Sequence, residues 1–140
     1  PEHYFDQLIE INLDELEPYL KETKTNHTGK QYNMKMKCWV NGIQVSDGNM
    51  GDMDWTFAEI IERCAYGVDI LPGDVIGSGT VGSGCFLELN GTGLLNDPSY
   101  KTQWLQPGDI VEMEITGLGR LSNTIKAVES SWSILALKKM

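Results

Sequence analysis

The chain has 140 residues, 41% hydrophobic and 22% charged, which suits one globular unit or part of a larger one. Twenty acids against eleven bases leave a net charge of −9. That balance excludes a nucleic-acid or anionic-membrane surface, because both need clustered Lys and Arg. The three cysteines, Cys38, Cys64 and Cys85, contain no CxxC pair, so they write no zinc ribbon or dithiol motif and suit a reducing, cytoplasmic compartment. No apolar run approaches the ~20 residues that span a bilayer, and the opening residues do not read as a signal peptide. Pro1 in place of Met fits a processed chain or a piece of a longer one. The triplets Asn26-His27-Thr28 and Asn90-Gly91-Thr92 have the form of glycosylation acceptors and are read as chance occurrences.

Residues 1–33 are polar and mixed. Asn12 to Leu20 predicts a helical turn ended by Pro18, and Lys21 to Gln31, nearly devoid of apolar side chains, predicts a surface loop. Met34, Met36, Cys38 and Val40 alternate with Lys35, Lys37 and Trp39, the period of a half-buried strand. Asn41-Gly42 then predicts a type I′ hairpin turn, with Ile43 to Val45 returning and residues 46–55 forming a polar loop.

Thr56 and Glu59 form a capping box ahead of Phe57, Ile60, Ile61 and Cys64, an apolar stripe at helical spacing, with Gly67 placed to cap the end. A helix is expected from about Phe57 to about Tyr66. Beyond it the signals are β. The turn Leu71-Pro72-Gly73-Asp74 should lead into Val75-Ile76, and Cys85 to Leu89 should form a short strand. Residues 90–103 read as a polar loop. Gln106-Pro107-Gly108-Asp109 should lead into a strand over Ile110 to Ile115, and Gly117 and Gly119 mark a hairpin before Leu121 and Thr124 to Val128, which should continue the sheet. The tail from residue 129 carries no firm signal. The class is α+β, mainly β, a rolled sheet with one marked helix.

Three places could carry chemistry. Gly77-Ser78-Gly79-Thr80-Val81-Gly82-Ser83-Gly84 can bring its backbone close to a ligand or nest an anion. It matches neither the P-loop nor GxGxxG, and by composition alone a structural turn is the more ordinary reading. Glu88, alternating with Leu87 and Leu89 beside Phe86, is either a base with a raised pKa or a solvent-facing strand residue. Asp47, Asp52 and Asp54 miss the EF-hand spacing and are better explained by solvation and helix N-terminal charge. His27 is expected to be exposed; His3 has no telling partner.

In order, Asn41-Gly42, Asp47-Gly48-Asn49 with Met53, Thr56-Phe57-Ala58-Glu59-Ile60-Ile61, Leu71-Pro72-Gly73-Asp74-Val75-Ile76, Gly77-Ser78-Gly79-Thr80, Leu105-Gln106-Pro107-Gly108-Asp109-Ile110-Val111-Glu112 and Ile115 to Asn123 form a set that resembles the C-terminal region of the fumarylacetoacetate hydrolase family. The resemblance covers roughly residues 34–128, leaving 1–33 as an N-terminal segment and 129–140 as a tail. It implies a mixed β-roll, a homodimer, and action on a small oxo acid, such as cleavage of a C–C bond in a 2,4-dioxo acid. It also implies Mg²⁺ or Ca²⁺ as Lewis acid for the enolate. Sister activities are hydration, isomerisation or decarboxylation of 2-oxo acids, or binding without chemistry.

By resemblance Thr80, with Gly79 admitting the backbone, binds a substrate carboxylate or oxo oxygen, and Glu88 orients or deprotonates the attacking water. The family's metal acids lie upstream of the matched region. Glu15-Leu16-Glu17 has their spacing in the wrong segment, so this chain alone is expected to bind no catalytic metal and to be inactive.

Overall fold

The structure, a computed structural model, describes residues 12–82 and 84–127. A 3-10 helix (Leu13–Tyr19) is followed by β1 (Leu20–Lys21), β2 (Gln31–Tyr32), β3 (Lys35–Val40) and β4 (Ile43–Asn49). A short 3-10 turn (Met50–Asp52), helices α1 (Phe57–Cys64) and α2 (Phe86–Asn96), and strands β5 (Ile110–Ile115) and β6 (Gly119–Thr124) complete the order. β1 pairs with β2, and the other strands form an antiparallel sheet in the order β4-β3-β5-β6. The mixed, mainly β class expected from the sequence is the class observed.

The sheet is two-faced because side chains alternate and paired residues share a face. Met36, Cys38 and Val40 lie opposite Ile115, Met113 and Val111 on one face. Lys37 and Trp39 lie opposite Glu114 and Glu112 on the other. There Arg120 of β6 sits 4.6 Å over the Trp39 ring and 3.0 Å from Glu112.

The β3–β4 hairpin turns where Asn41-Gly42 requires it, with φ of 51° and 79° at the two residues. Asn41 also ties the hairpin tip to the start of β5. Its amide donates to Asp109 at 2.8 Å and its oxygen accepts the Ile110 N–H at 2.9 Å. The Asp109 carboxyl is held below its ordinary pKa by the Gln106 amide and then by Asn41.

Both Pro-Gly-Asp turns are built alike. Asp74 accepts the Leu71 amide and Asp109 the Gln106 amide, with φ of 101° at Gly73 and 98° at Gly108. Only the second leads into a strand. Ile110 to Ile115 meets β3, whereas the expected strand at Val75-Ile76 has no partner among the described residues and Val75 is exposed.

Several expectations are corrected. Pro18 sits inside the first 3-10 helix instead of ending the turn. Leu20–Lys21 and Gln31–Tyr32 pair at the edges of what reads as one polar loop. β4 runs on to Asn49, and β6 stops at Thr124.

The expected strand at Cys85–Leu89 is the start of helix α2, so a second helix joins the one foreseen. A five-residue segment with four apolar side chains does not separate strand from buried helix by period alone, and Gly91 and Gly93 argue against helix. Two contacts decide it. A Cβ on Gly93 would lie 2.6 Å from the Tyr100 ring, so only glycine lets that ring pack. Asn90, 3% exposed, donates to Gln103 O at 2.8 Å and accepts the Gln103 N–H at 2.9 Å. Neither the tail from residue 129 nor His3 lies within the described residues.

The buried core described is small: Leu16, Tyr32 and Met34, with Tyr19, Met50, Ile115 and Leu118 against it. Phe57 and Ile61 of the α1 stripe stay exposed.

Two substitutions test this framework. Gly42→Val forces a branched side chain into the left-handed region and should cost about 1–2 kcal/mol in urea unfolding; an unchanged midpoint would mean the turn relaxes to another type. Asn90→Ala strands the Gln103 N–H and C=O and should cost roughly 1–3 kcal/mol, with the amide of Gln103 losing exchange protection.

Candidate functional site

The glycine-rich loop lies across β4 because two glycines remove the side chains that would block it. A Cβ on Gly48 would lie 2.4 Å from Val81 Cγ1, and one on Gly84 2.9 Å from Ser46 Cβ. Gly79 takes a φ of 95°, a conformation glycine supplies without strain. The loop thereby walls one side of an open groove of about 730 Å³. Ser78, Gly79 and Thr80 line it from the loop, Asp47 and Asp52 from β4 and the turn beyond. Met36, Phe57 and Leu118 give it an apolar floor. A groove of this kind, apolar with a few convergent polar groups, suits a small molecule.

Thr80 and Gly79 are therefore brought together, while Glu88 is not among the groove's lining residues. Glu88 is the third residue of α2, and its carboxylate closes a capping box on Cys85, whose sulfur accepts the Glu88 N–H at 3.4 Å. The alternation that paired Glu88 with Phe86 on one strand face does not apply on a helix. The helix start instead borders a second cleft of about 530 Å³, lined by Cys38, Cys85, Phe86, Trp104 and Val111 among others.

A further cluster went unread in the sequence. His27, expected to be exposed, is partly buried, with Nδ1 3.0 Å from Glu59 Oε2 and its ring edge-on to Trp55. Glu59 also accepts the Thr56 amide at 2.8 Å and the Thr28 amide at 3.0 Å. These donors, Thr56 first, then His27 and Thr28, hold its carboxyl at about 2 against an ordinary 4.5. The carboxylate is thus the acceptor, and Nδ1 carries the proton. The capping box was legible; that Glu59 also ties down the 27–28 segment was not, since no local spacing links residues 32 apart.

The metal implied by the resemblance finds no ligand set here. Among the described residues no three His, Cys, Asp or Glu side chains gather to hold an ion, so these residues do not fit one. Among the same residues no helix is long and apolar enough to cross a membrane.

A folded pKa below the unfolded one means that Glu59's contribution is complete above about 4.5 and is lost as pH falls through about 2. The Thr28 and Thr56 amide protons, followed by NMR, should titrate with a midpoint near 2. A midpoint near 4.5 would show that the carboxylate is not held.

Comparison with known proteins adds identity to this geometry. A protein of Staphylococcus saprophyticus with no assigned function is 34% identical over 111 residues, 77% of this chain and 32% of its own length. The human mitochondrial oxaloacetate tautomerase FAHD2A is 33% identical over 94 residues, 67% of this chain and 26% of its own. A crystal structure of a Mycobacterium smegmatis protein described as HpcE superposes with a TM-score of 0.54 at 21% identity, over 75% of this chain and 35% of that one, and shares the fold. The chain thus spans about a quarter to a third of the length of these relatives. The family model described as fumarylacetoacetate (FAA) hydrolase C-terminal matches residues 15–126, and the chain belongs to that family.

Proposed function

We propose that these residues form the C-terminal part of an enzyme that cleaves a C–C bond in a small 2,4-dioxo acid, acting as a homodimer. The observation that carries the reading is the Gly-Ser-Gly-Thr loop seated on β4, with Thr80 and Gly79 at a groove of small-molecule size. In this reading the Thr80 hydroxyl donates to a carboxylate or oxo oxygen of the substrate. The open Gly79 backbone lets that oxygen approach closely. Glu88 takes a proton from the water that attacks the carbonyl carbon, and its approach to the groove requires substrate to reach over from the loop to the start of α2.

Tautomerisation of an oxo acid is the second reading, favoured by the similarity to the human oxaloacetate tautomerase. It needs a proton moved between carbon and oxygen and no attacking water. The ion that the family resemblance implies has its ligands, on either reading, outside the described residues.

The test is kinetic and uses the full-length polypeptide that carries these residues. Glu88→Gln keeps the capping box, since Gln serves there as well as Glu, but removes the base. The hydrolase reading expects kcat for acylpyruvate cleavage to fall about 10²–10⁴-fold. Thr80→Val should act mainly on KM. Unimpaired cleavage by Glu88→Gln would reject Glu88 as base. Turnover of enol-oxaloacetate without any cleavage would favour the tautomerase.

A further inference from the structure

We propose that Cys38 and Cys85 form a thiol pair that a peroxide closes to a disulfide, pinning the start of α2 to β3. The sequence gives no hint of this, since the two lie 47 residues apart and share no motif. The fold brings them to one cleft, which both line.

Ser46 links the two cysteines through the fold. Cys38 is the register partner of Ser46 across the β3–β4 ladder, immediately before the bulge between Cys38 and Trp39. Residues directly opposite on antiparallel strands point to the same face, with Cβ atoms about 4.5–5.5 Å apart. Gly84 lies on that same Ser46, close enough that a Cβ on it would sit 2.9 Å from Ser46 Cβ. Cys85 is the next residue, its Cα about 3.8 Å further along the chain. A disulfide needs Cα atoms about 4.4–6.8 Å apart. The segment that must shift to reach this contains Gly82 and Gly84, which resist bending least.

The two thiols differ in a way that orders the chemistry. Cys85 is exposed and Cys38 half-buried, and burial pushes the Cys38 thiol up. The Cys85 thiolate attacks the peroxide oxygen, so an S–O bond forms, the O–O bond breaks and water leaves after protonation. The sulfur loses two electrons and the peroxide gains them. Cys38 then attacks the sulfenic sulfur, the S–S bond forms, the S–O bond breaks and a second water leaves. Two thiols and one hydrogen peroxide give one disulfide and two waters.

Closure has a structural consequence at Glu88. The Cys85 sulfur now accepts the Glu88 N–H, and the Cys85 N–H is the donor to the Glu88 carboxylate. Drawing Cys85 toward β3 breaks this reciprocal cap and re-aims Glu88. That the change alters activity rests on the proposed role of Glu88; the formation of the disulfide does not.

The experiment treats the full-length protein with hydrogen peroxide and maps its peptides by mass spectrometry without reduction. The expected product joins the Cys38 and Cys85 peptides with a loss of about 2 Da, reverts with dithiothreitol, and is absent from Cys38→Ser. Cys85→Ser, in which serine still caps the helix, gives the same readout from the other partner. Oxidation of Cys85 to a terminal acid without the cross-link, its pairing with Cys64 instead, or oxidation confined to Cys64 would overturn the pair. Activity measured on the same samples separates the two ideas. Loss on oxidation with recovery on reduction, in wild type and not in Cys38→Ser, supports both. A cross-linked protein that keeps full activity leaves the thiol pair standing and rejects its coupling to Glu88.

Discussion

The pairing of β3 on both of its edges is the constraint from which the rest follows. A strand flanked by β4 and β5 has its backbone donors and acceptors satisfied by neighbours, and its register fixes which side chains face which way. Asn41 makes the register hard to change. Its side chain holds Asp109 and Ile110 while its own positive φ turns the hairpin. A slip by one residue would carry Met36, Cys38 and Val40 to the side where Arg120 bridges Glu112 and packs on Trp39.

That fixed apolar face is where the glycine-rich loop and the start of α2 are placed. The glycine-rich loop meets it beside Met36 and Ile115, and the start of α2 meets it beside Cys38, Val40 and Val111. Close approach is obtained by leaving atoms out: Gly48 under Val81 and Gly84 over Ser46. The same sheet therefore presents two neighbouring depressions, one walled by Thr80 and the other by Cys85.

Much of this was legible locally. The Asn-Gly turn, the Thr56–Glu59 box and the Pro-Gly-Asp turns are short-range chemistry, in which the partner is within four residues and the side chain itself selects the backbone. The ordered set of such motifs carried the family resemblance, and the match over residues 15–126 agrees with it. What misled was also local. Phe86-Leu87-Glu88-Leu89 has the length of a strand and no period to contradict it, and the glycines after it read as a loop. Asn90, part of a chance acceptor triplet in the sequence, is the side chain that fastens α2 to Gln103, and no local spacing announces that partner.

By itself the sequence determined the turns, the Thr56–Glu59 cap, the alternation of β3, and the family, because each is set by neighbours along the chain. The tertiary structure alone decided which strand candidates became strands, since Ile110 to Ile115 found β3 and Val75-Ile76 found no ladder among the described residues. It also decided that Phe86 begins a helix, that His27 meets Glu59 and that Cys38 shares a cleft with Cys85. Those contacts join residues tens of positions apart, and their energy appears only when packing brings the partners together.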